Sequence, residues 1–304
     1  MYRLTILAPL FSLFCCTAEA ADTSARELIW AQNNAPPFFI TEGPDQGQGF
    51  GDPLQRMLEE ELPDFHHITR QMPLRRLNQF WKQGANYCFA TMIHQDVDAD
   101  STYLLSTPNV LYRPHGVIAA RDNLRVQEIK TRHPDHHPAY SLSYFFQAPD
   151  IRFGFMSNRT FGPQIDALLN AHKDQLEMYD RSDADGLEGL FDMLKVGRVD
   201  YLIDYPFVFR HYDRQKAYHG RFQFIPLQEN EDDEVWGAIG CSNNRWGEER
   251  IAAINVAIRR LIDRQDYREL VVKWHAAEGE EQSYWGRLQH RVAYTSSALN
   301  GQTP

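Results

Sequence analysis

The sequence predicts an α/β fold built from two similar lobes, each a mostly parallel sheet flanked by helices. A helix followed by a strand is predicted at residues 74–92 and again at residues 187–203, more than 100 residues later. Strands that alternate with helices favour parallel sheets, with ligands expected near the carboxyl ends of the strands. The chain has 304 residues, which is enough for two domains of about 100 to 200 residues each.

The first twenty residues are predicted to be a secretory signal peptide. One cation, Arg3, precedes a mostly apolar run over residues 4–16, and small residues within 18–20 suit cleavage by signal peptidase. The run is too short to span a bilayer, and no later stretch approaches the roughly 20 apolar residues of a membrane span. A lipoprotein with a modified Cys15 or Cys16 is a weaker alternative, because no small residue precedes either cysteine.

The charge and the cysteine content argue against several kinds of partner and site. The net charge is −10, with acidic residues spread along the chain, which disfavours nucleic acid or an anionic membrane surface as a partner. Only Cys88 and Cys241 follow the signal peptide, and in an oxidising compartment such a pair is expected to form a disulfide. No metal-ligand spacing accompanies them, and we expect no cofactor.

The mature chain begins with a strand, a loop and a helix. The strand is predicted at residues 27–31 and leads into a Pro-Pro-aromatic loop at residues 33–39. A helix then begins near Asp52, which can cap it, with Pro53 in its first turn. The apolar face of this helix consists of Leu54, Met57, Leu58 and Leu62.

A second helix and strand complete this unit, and the same pattern recurs later. The helix is predicted at residues 74–82 with Gly84 as its stop, and the strand at residues 87–92. In the later unit, Gly197 stops the helix and residues 199–203 form the strand. The apolar face of the later helix consists of Leu187, Leu190, Phe191 and Leu194.

Four further segments differ in their patterns. Apolar spacing predicts a long amphipathic helix over residues 251–262 and another helix over residues 266–275. Residues 122–150 are rich in histidine, proline and charge, which predicts an irregular insertion between the lobes. The last twenty or so residues are polar and are predicted to be frayed.

The order of these motifs resembles that of the family 3 extracellular solute-binding proteins, the periplasmic receptors of polar amino-acid uptake systems. The resemblance covers nearly all of the mature chain, and the shared order and spacing carry it, because each motif alone is weak. In chain order the motifs are Pro36-Pro37-Phe38, Gly49-Phe50 with Asp52, Met72 to Leu77, Ser106-Thr107-Pro108, Asn158 to Gly162, and Gly197 to Asp200 with Asp204.

The resemblance implies a two-lobed type II periplasmic-binding-protein fold whose lobes are joined by crossing strands. The signal peptide would be residues 1–20, the first lobe residues 21–113 and 232–304, and the second lobe residues 114–231. The chain then returns to the first lobe near residues 235–241, which would bring Cys241 to Cys88. The protein would be a periplasmic monomer that closes around a small molecule and is recognised by an inner-membrane permease or receptor.

One departure from the family concerns the ligand. In the family's amino-acid receptors, an arginine about seven residues before the Ser-x-Pro motif binds the ligand's α-carboxylate through paired hydrogen bonds. Here residues 95–101 contain no arginine and contain Asp96, Asp98 and Asp100. We therefore expect a polar or amine-bearing solute and not an ordinary α-amino acid held by an arginine in this loop.

Two acids of the second lobe have different expected roles. Asp204 ends a predicted buried strand, and in the similar receptors an acid at this place binds the ligand's amino group. The alternative for Asp204 is to cap a neighbouring helix or to pair with a cation of its own lobe. Asp200, soon after Gly197, fits a structural role at the start of the strand.

Rings and cations supply further candidate ligand contacts. Arg159 and Thr160 precede a helix whose N-terminus would present free amide groups to an anionic group, and the alternative is a solvated helix cap. Arg76 is another candidate, and Arg113 could also assist an acidic ligand. For the rings, ligand stacking and core packing both remain open. They are Phe38, Phe39, Tyr112, Phe161 and Tyr205.

Two patterns suggest metal sites but have simpler interpretations. His133, His136 and His137 lie within five residues, yet the flanking prolines favour a solvated surface loop. The alternating acids of residues 96–100 resemble calcium ligands, but the glycine and glutamate of an EF-hand are missing.

The expected function is therefore solute binding by lobe closure, for uptake or for signalling. Two alternatives stay open. One is an enzyme of the same fold acting on small acids, although no Gly-x-Ser-x-Gly, catalytic cysteine or paired-carboxylate motif supports it. The other is a structural adaptor with a degenerate cleft.

Overall fold

The computed structural model describes residues 26–98, 100–136, 138–157, 159–181 and 186–299. The predicted signal peptide with Cys15 and Cys16, His137, Asn158 and residues 300–304 lie outside these ranges. Within the described part of the chain, no helix is long and apolar enough to cross a membrane.

The first sheet has six strands in the order β2-β1-β3-β11-β4, with β5 paired to β11 as well. The pairs of β1 with β2 and β3 are parallel, whereas β11 runs antiparallel to β3, β4 and β5. The sheet is therefore mixed, because the strand that returns from the other lobe runs against its neighbours. The strands are β1 (Glu27–Gln32), β2 (His66–Gln71), β3 (Cys88–Ile93), β4 (Tyr103–Leu105), β5 (Val110–Tyr112) and β11 (Val235–Ser242).

The second sheet has five strands in the order β10-β6-β9-β7-β8. Strand β7 pairs in parallel with β8 and β9, and β6 runs antiparallel to β9 and β10. The crossing strands β6 and β10 thus meet at one side of this sheet. The strands are β6 (Gly116–Ala120), β7 (Arg152–Met156), β8 (Glu177–Arg181), β9 (Tyr201–Asp204) and β10 (Phe222–Pro226).

Ten α-helices are described beside these sheets, which gives the expected two-lobed α/β fold. Five accompany the first sheet, two before the first chain crossing and three after its final strand, and the other five accompany the second sheet. The helices are α1 (Gly51–Glu61), α2 (Leu74–Lys82), α3 (Leu124–Arg132), α4 (Leu142–Phe146), α5 (Pro163–His172), α6 (Gly186–Lys195), α7 (Pro206–Arg214), α8 (Arg245–Leu261), α9 (Gln265–His275) and α10 (Glu281–Leu299).

Two chain crossings join the lobes. Residues 113–115 lead from β5 to β6, and residues 227–234 lead from β10 back to β11. The side-chain amide of Asn230 in the return crossing donates a 3.0 Å hydrogen bond to the carbonyl of His115 in the first. The two crossings are therefore bonded to each other.

The predicted helix and strand units are confirmed. Helix α2 has the predicted bounds, and Gly84 and Gly197 follow their helices with φ of +73° and +70°. Only glycine adopts this left-handed conformation at little cost, which explains why both helices stop there. Asp52 differs from expectation, because it lies inside α1 and its carboxylate accepts from the amides of Ile40 and Gly49.

The interpretation of residues 122–150 as an irregular insertion is wrong. Asn123 caps α3 by accepting a 3.0 Å hydrogen bond from the Val126 amide, and Val126 and Ile129 are buried on one face of this helix. Helix α4 then buries Leu142 and Phe145 completely. The apolar residues at helical spacing outweigh the histidine and proline content of this segment.

The prediction of a frayed C-terminal segment is also wrong within the described residues. Helix α10 extends to Leu299 and buries an apolar stripe, and Arg287 pairs with Glu234 at 3.6 Å. Helical spacing of four apolar residues gives this otherwise polar segment a face that packs on the first lobe. The buried residues of the stripe are Tyr284, Trp285, Leu288 and Val292.

The predicted disulfide between Cys88 and Cys241 is present. The two residues are direct partners in the antiparallel register of β3 and β11, with Cα atoms 4.0 Å apart. The bridge closes a loop with a sequence separation of 153 residues, which spans the whole second lobe. It therefore ties the first half of the chain to its return.

Candidate ligand cleft between the two lobes

Aromatic side chains from both lobes meet between the two sheets, and we call this group the ring cluster. Phe38 lies in the loop after β1, and its ring centroid is 4.9 Å from that of Phe207 in the first turn of α7. Tyr112 ends β5, and its ring centroid is 5.1 Å from that of Tyr205, which follows β9. The members of the ring cluster are Phe38, Phe50, Tyr112, His115, Tyr205, Phe207 and His275.

Two histidines belong to the ring cluster. His115 lies in the first crossing, with its ring centroid 3.8 Å from that of Tyr205. His275 ends α9, with its ring centroid 4.4 Å from that of Phe50. Burial lowers the pKa of both imidazoles well below the usual value, and the charges of Arg159 and Arg210 lower the pKa of His115 and His275 respectively. Both rings are therefore neutral at neutral pH.

The ring cluster contains buried polar groups that lack hydrogen-bond partners among the described residues. They are the hydroxyl groups of Tyr112 and Tyr205 and both ring nitrogens of His115 and His275. Each neutral imidazole offers one donor and one acceptor, and each phenol can do both. Buried polar groups are nearly always paired in folded proteins, so this cluster presents hydrogen-bonding capacity suited to a bound molecule or to water.

One ion pair lies beside the ring cluster. Asp204, the last residue of β9, is buried, and its Oδ1 accepts from the guanidinium of Arg159 and from the Tyr205 amide at 2.7 Å. The Arg159 guanidinium also lies 5.8 Å from the centroid of the Tyr205 ring. Burial raises the pKa of Asp204, and this effect exceeds the opposing effect of Arg159 and the Tyr205 amide.

Helix α7 connects the second lobe directly to the first. The guanidinium of Arg210 donates a 2.7 Å hydrogen bond to the carbonyl of Trp274, near the end of α9. The hydroxyl of Tyr212 donates a 3.3 Å hydrogen bond to the carbonyl of Pro36, in the loop beside Phe38. Together with Phe207, these residues make α7 the face of the second lobe that meets the ring cluster.

The structure brings several predicted candidates to one place. Phe38, Tyr112 and the Arg159–Asp204 pair surround Tyr205. Phe161 is buried on the second-lobe side, with its ring centroid 5.6 Å from that of His115. Their contact with a ligand stays a prediction.

Two other candidates lie elsewhere or are exposed. Thr160 is exposed at the start of the segment before α5. Arg76 is exposed on α2, where its guanidinium lies 5.3 Å from the ring centroid of Phe80 on the same helix. The structure does not bring Arg76 into the described ring contacts, and its role in binding likewise stays a prediction.

The backbone amides just before α5 were expected to be free, but two of them are hydrogen-bonded within the protein. The carboxylate of Asp166, in the first turn of that helix, accepts a 2.9 Å hydrogen bond from the Phe161 amide and a further one from the Gly162 amide. The helix start is therefore capped by its own acid, which leaves these two amides unavailable to an anionic ligand.

Asp200 has the structural role expected of it. It is buried, and its two oxygens accept from Nε and Nη2 of Arg152 at 2.9 and 3.0 Å. Asn123, the cap of α3, also donates to it at 2.8 Å. Burial opposes ionisation of Asp200, but the hydrogen bonds from Arg152 and Asn123 outweigh it and hold the pKa of this carboxyl below its usual value. This network ties β7, β9 and α3 together.

Sequence reasoning missed four members of the ring cluster, namely Phe50, His115, Phe207 and His275. Phe207 follows the predicted strand end by only three residues, so its proximity to Asp204 was a usable signal. His275 carried no such signal, because its position in the cluster depends on how the end of α9 packs within the first lobe. Among the described residues, no group of three metal-binding side chains comes together.

Comparisons with known proteins identify the fold. No protein-family model matches the sequence, and no curated protein matches it. An ancestral arginine-binding protein bound to arginine is similar in structure, with a TM-score of 0.61, 16% sequence identity, and coverage of 82% of this chain and 97% of that one. A putative L-cystine ABC transporter from Listeria monocytogenes has a TM-score of 0.61 at 13% identity, with coverage of 83% and 96%.

A third similar structure is a periplasmic binding protein of high arginine specificity from Salmonella typhimurium. Its TM-score is 0.59 at 10% identity, with coverage of 82% of this chain and 99% of that one. Two of these three structures are arginine-binding proteins, and the resemblance seen in the motif order is confirmed at the level of the fold. Substrate-binding proteins of amino-acid ABC transporters are among the other similar structures, and the chain has their two-lobed fold.

Proposed function

We propose that this protein is a periplasmic solute-binding protein, which captures a small polar solute between its lobes and presents it to an inner-membrane permease. Its lobes are residues 21–113 with 232–304 and residues 114–231, and residues 1–20 are its signal peptide. The single observation that carries this proposal is the ring cluster. It draws rings from both lobes and holds two phenols and two imidazoles without partners among the described residues.

The arrangement favours a ligand that bridges both faces of the cleft. Phe38 and Tyr112 would contact it from the first lobe, and Tyr205 and Phe207 from the second. Aromatic faces pack against the apolar part of an organic solute, while the phenols and imidazoles hydrogen-bond to its polar groups. Because the same ligand touches both lobes, binding stabilises the closed form.

The proposal assigns no chemical step to the protein. His115 and His275 are neutral, and neither is hydrogen-bonded to a described carboxylate that would orient it as a general base. Among the residues described, Arg159 forms an ion pair with Asp204 and with no second acid. Binding without turnover therefore fits these groups better than the enzyme that the fold could also support.

A thermal-shift screen of the mature protein against a broad metabolite panel tests the proposal. We expect at least one solute to raise the melting temperature, because a ligand that binds only the folded state stabilises it. Calorimetry with that solute should show weaker binding to Phe38→Ala. Phe65→Ala, a half-buried control whose ring packs against Arg250 of the first lobe, should retain it.

Two outcomes would contradict the proposal. The absence of any stabilising solute would favour the structural adaptor. A solute that is chemically altered after incubation and release would favour the enzyme, because a receptor returns its ligand unchanged.

A further inference from the structure

We infer that Arg159 is a built-in counter-ion of Asp204, so that the cleft selects against solutes with a net positive charge. This inference rests on the proposed function of the cleft and names the class of solute that it accepts. The sequence alone pointed to an amine on Asp204. The structure gives that carboxylate a cation from its own chain.

The geometry of the pair shows that Arg159 is positioned for this role. Its backbone amide donates a 3.2 Å hydrogen bond to the carbonyl of Met156, which attaches the backbone of Arg159 to the end of β7. Its guanidinium then binds Asp204 and lies over the ring of Tyr205. The side chain of Arg159 is only 19% exposed, and that of Asp204 is 2% exposed.

Because Asp204 is buried and paired, the charge of a ligand decides whether it can bind there. A buried carboxylate needs a partner, and removing Arg159 would leave its charge uncompensated. A cationic ligand would have to displace Arg159 and leave that guanidinium without its partner. A ligand without positive charge meets no such obstacle, because the ion pair can stay in place.

A second cation lies near His275 of the ring cluster. Arg210 is half-buried and donates to the carbonyl of Trp274, which adjoins His275. No acidic partner of Arg210 is found in the described part of the chain. Burial lowers the pKa of Arg210, as do the charges of Arg113 and Arg214. A cation thus lies near each histidine of the ring cluster, while the one acid is neutralised, and this disfavours a cationic solute.

The remaining polar groups fit a solute without a net positive charge. The phenols of Tyr112 and Tyr205 and the imidazoles of His115 and His275 are uncharged. They offer both donors and acceptors but no counter-charge for a cation. The site therefore recognises hydrogen-bonding pattern and shape, and Arg159 sets its charge selectivity.

Removal of the guanidinium tests the inference directly. In Arg159→Met the side chain keeps a similar length and loses its charge, which opens Asp204 to an external cation. Agmatine and methylguanidinium are suitable probes because both carry the missing group. We expect calorimetry to show agmatine binding at least tenfold more tightly to Arg159→Met than to the wild-type protein.

Three control variants separate this effect from general changes. Arg159→Lys retains a cation at Asp204 and should show no gain. The double variant Arg159→Met with Asp204→Asn should lose the gain, because the acid that binds the probe is gone. Arg198→Met removes an exposed arginine of the same lobe and should behave as the wild type.

Several outcomes would overturn the inference. Tight binding of agmatine, putrescine or L-arginine to the wild-type protein would do so, as would a gain that persists in the double variant. Should Arg159→Met fail to fold, Arg159→Gln allows the same comparison, and the wild-type titrations stand by themselves. A cationic solute that stabilises the wild type would contradict this inference and leave the proposed function intact.

A different result would contradict the proposed function and leave the role of Arg159 intact. If no solute of any charge stabilises the wild type, but agmatine gains affinity through Asp204 in Arg159→Met, the proposed function fails and the role of Arg159 stands.

Discussion

Asp200 and Asp204 lie at the two ends of one short strand, and their pKa values are shifted in opposite directions. Asp200 precedes β9 and is bound by Arg152 and Asn123, which hold its pKa below the usual value. Asp204 ends β9 and has a raised pKa, because burial outweighs its one ion pair. The first acid therefore stabilises the second lobe, while the second belongs to the candidate cleft.

The Asp200 network predicts a large effect of one substitution. Asp200→Asn leaves the guanidinium of Arg152 without its charged partner, and Arg152 is only 23% exposed. We expect this change to lower the free energy of unfolding by about 3 kcal/mol, as measured by denaturant titration. Asp174→Asn, at an exposed position of the same lobe, should change the free energy of unfolding by less than about 0.5 kcal/mol. Equal effects of the two variants would contradict the structural role of Asp200.

The same acid predicts a pH dependence. Its folded-state pKa is depressed below the usual 3.8, so its contribution to stability is present above that value and is lost as the pH falls through the folded pKa. The difference in melting temperature between the wild type and Asp200→Asn should therefore be largest near neutral pH. It should shrink below pH of about 4, whereas a difference that is constant from pH 7 to pH 3 would rule out this linkage.

Removing the hydroxyl of Tyr205 should affect ligand affinity without lowering the stability of the ligand-free protein. It is buried and has no partner among the described residues, so Tyr205→Phe should leave the ligand-free melting temperature unchanged or slightly higher. Affinity for the solute found in the thermal-shift screen should fall about tenfold if the hydroxyl bonds to the ligand. Tyr294→Phe, at an exposed position, is the matched control. A clear loss of ligand-free stability in Tyr205→Phe would show that the hydroxyl has a partner within the protein.

At the scale of single elements, periodic apolar spacing decided which segments could be predicted. Helix α2 was predictable because its apolar face ends just before Gly84. Strand β3 was predictable because a short, mostly apolar run follows this glycine. In residues 122–150 the histidine and proline content suggests a loop, but the apolar faces of α3 and α4 determine the structure. The capping role of Asn123 was the local signal that could have corrected this.

The packing of α4 can be tested by one pair of substitutions. Phe145 is fully buried, and its ring centroid lies 5.2 Å from that of Tyr201 on β9. We expect Phe145→Ala to lower the free energy of unfolding by about 3 to 5 kcal/mol. Leu124→Ala, at a position 84% exposed at the start of α3, should have almost no effect. An irregular surface loop would instead tolerate both changes.

The disulfide between β3 and β11 predicts a chemical and a thermodynamic result. Free-thiol titration of the denatured, unreduced mature protein should find no thiols. Reduction should lower the free energy of unfolding by an amount of order 4 to 5 kcal/mol on the chain-entropy estimate, because the closed loop is long. Two titratable thiols in the unreduced protein would contradict the bridge.

At the scale of the whole molecule, the fold was predictable and the cleft only in part. The order of motifs fixed two lobes, a return strand and the approximate position of Asp204. The ring cluster could not be read from the sequence, because it joins Phe38, Tyr112, Tyr205 and His275 across more than 200 residues of chain. Its members are neighbours only when α7 of one lobe meets the first loop and α9 of the other.

The charges in the cleft could be predicted only in part from the sequence, because they depend on how distant segments meet in the folded molecule. The missing arginine in residues 95–101 was visible in the sequence and cast doubt on an ordinary amino-acid ligand. The pairing of Arg159 with Asp204 was not visible, because the two residues are 45 positions apart and meet through the parallel pairing of β7 with β9. Both features point to a solute that is recognised by hydrogen bonds and ring faces.

The central claim is that the ring cluster binds a small molecule between the lobes, and native mass spectrometry of protein purified from a periplasmic extract tests it most directly. We expect the wild-type protein to retain one small molecule, and the double variant Phe38→Ala with Tyr205→Phe to appear at the mass of the polypeptide alone. A wild-type protein that carries no small molecule and is stabilised by none, or a double variant that retains the same molecule as the wild type, would contradict the claim.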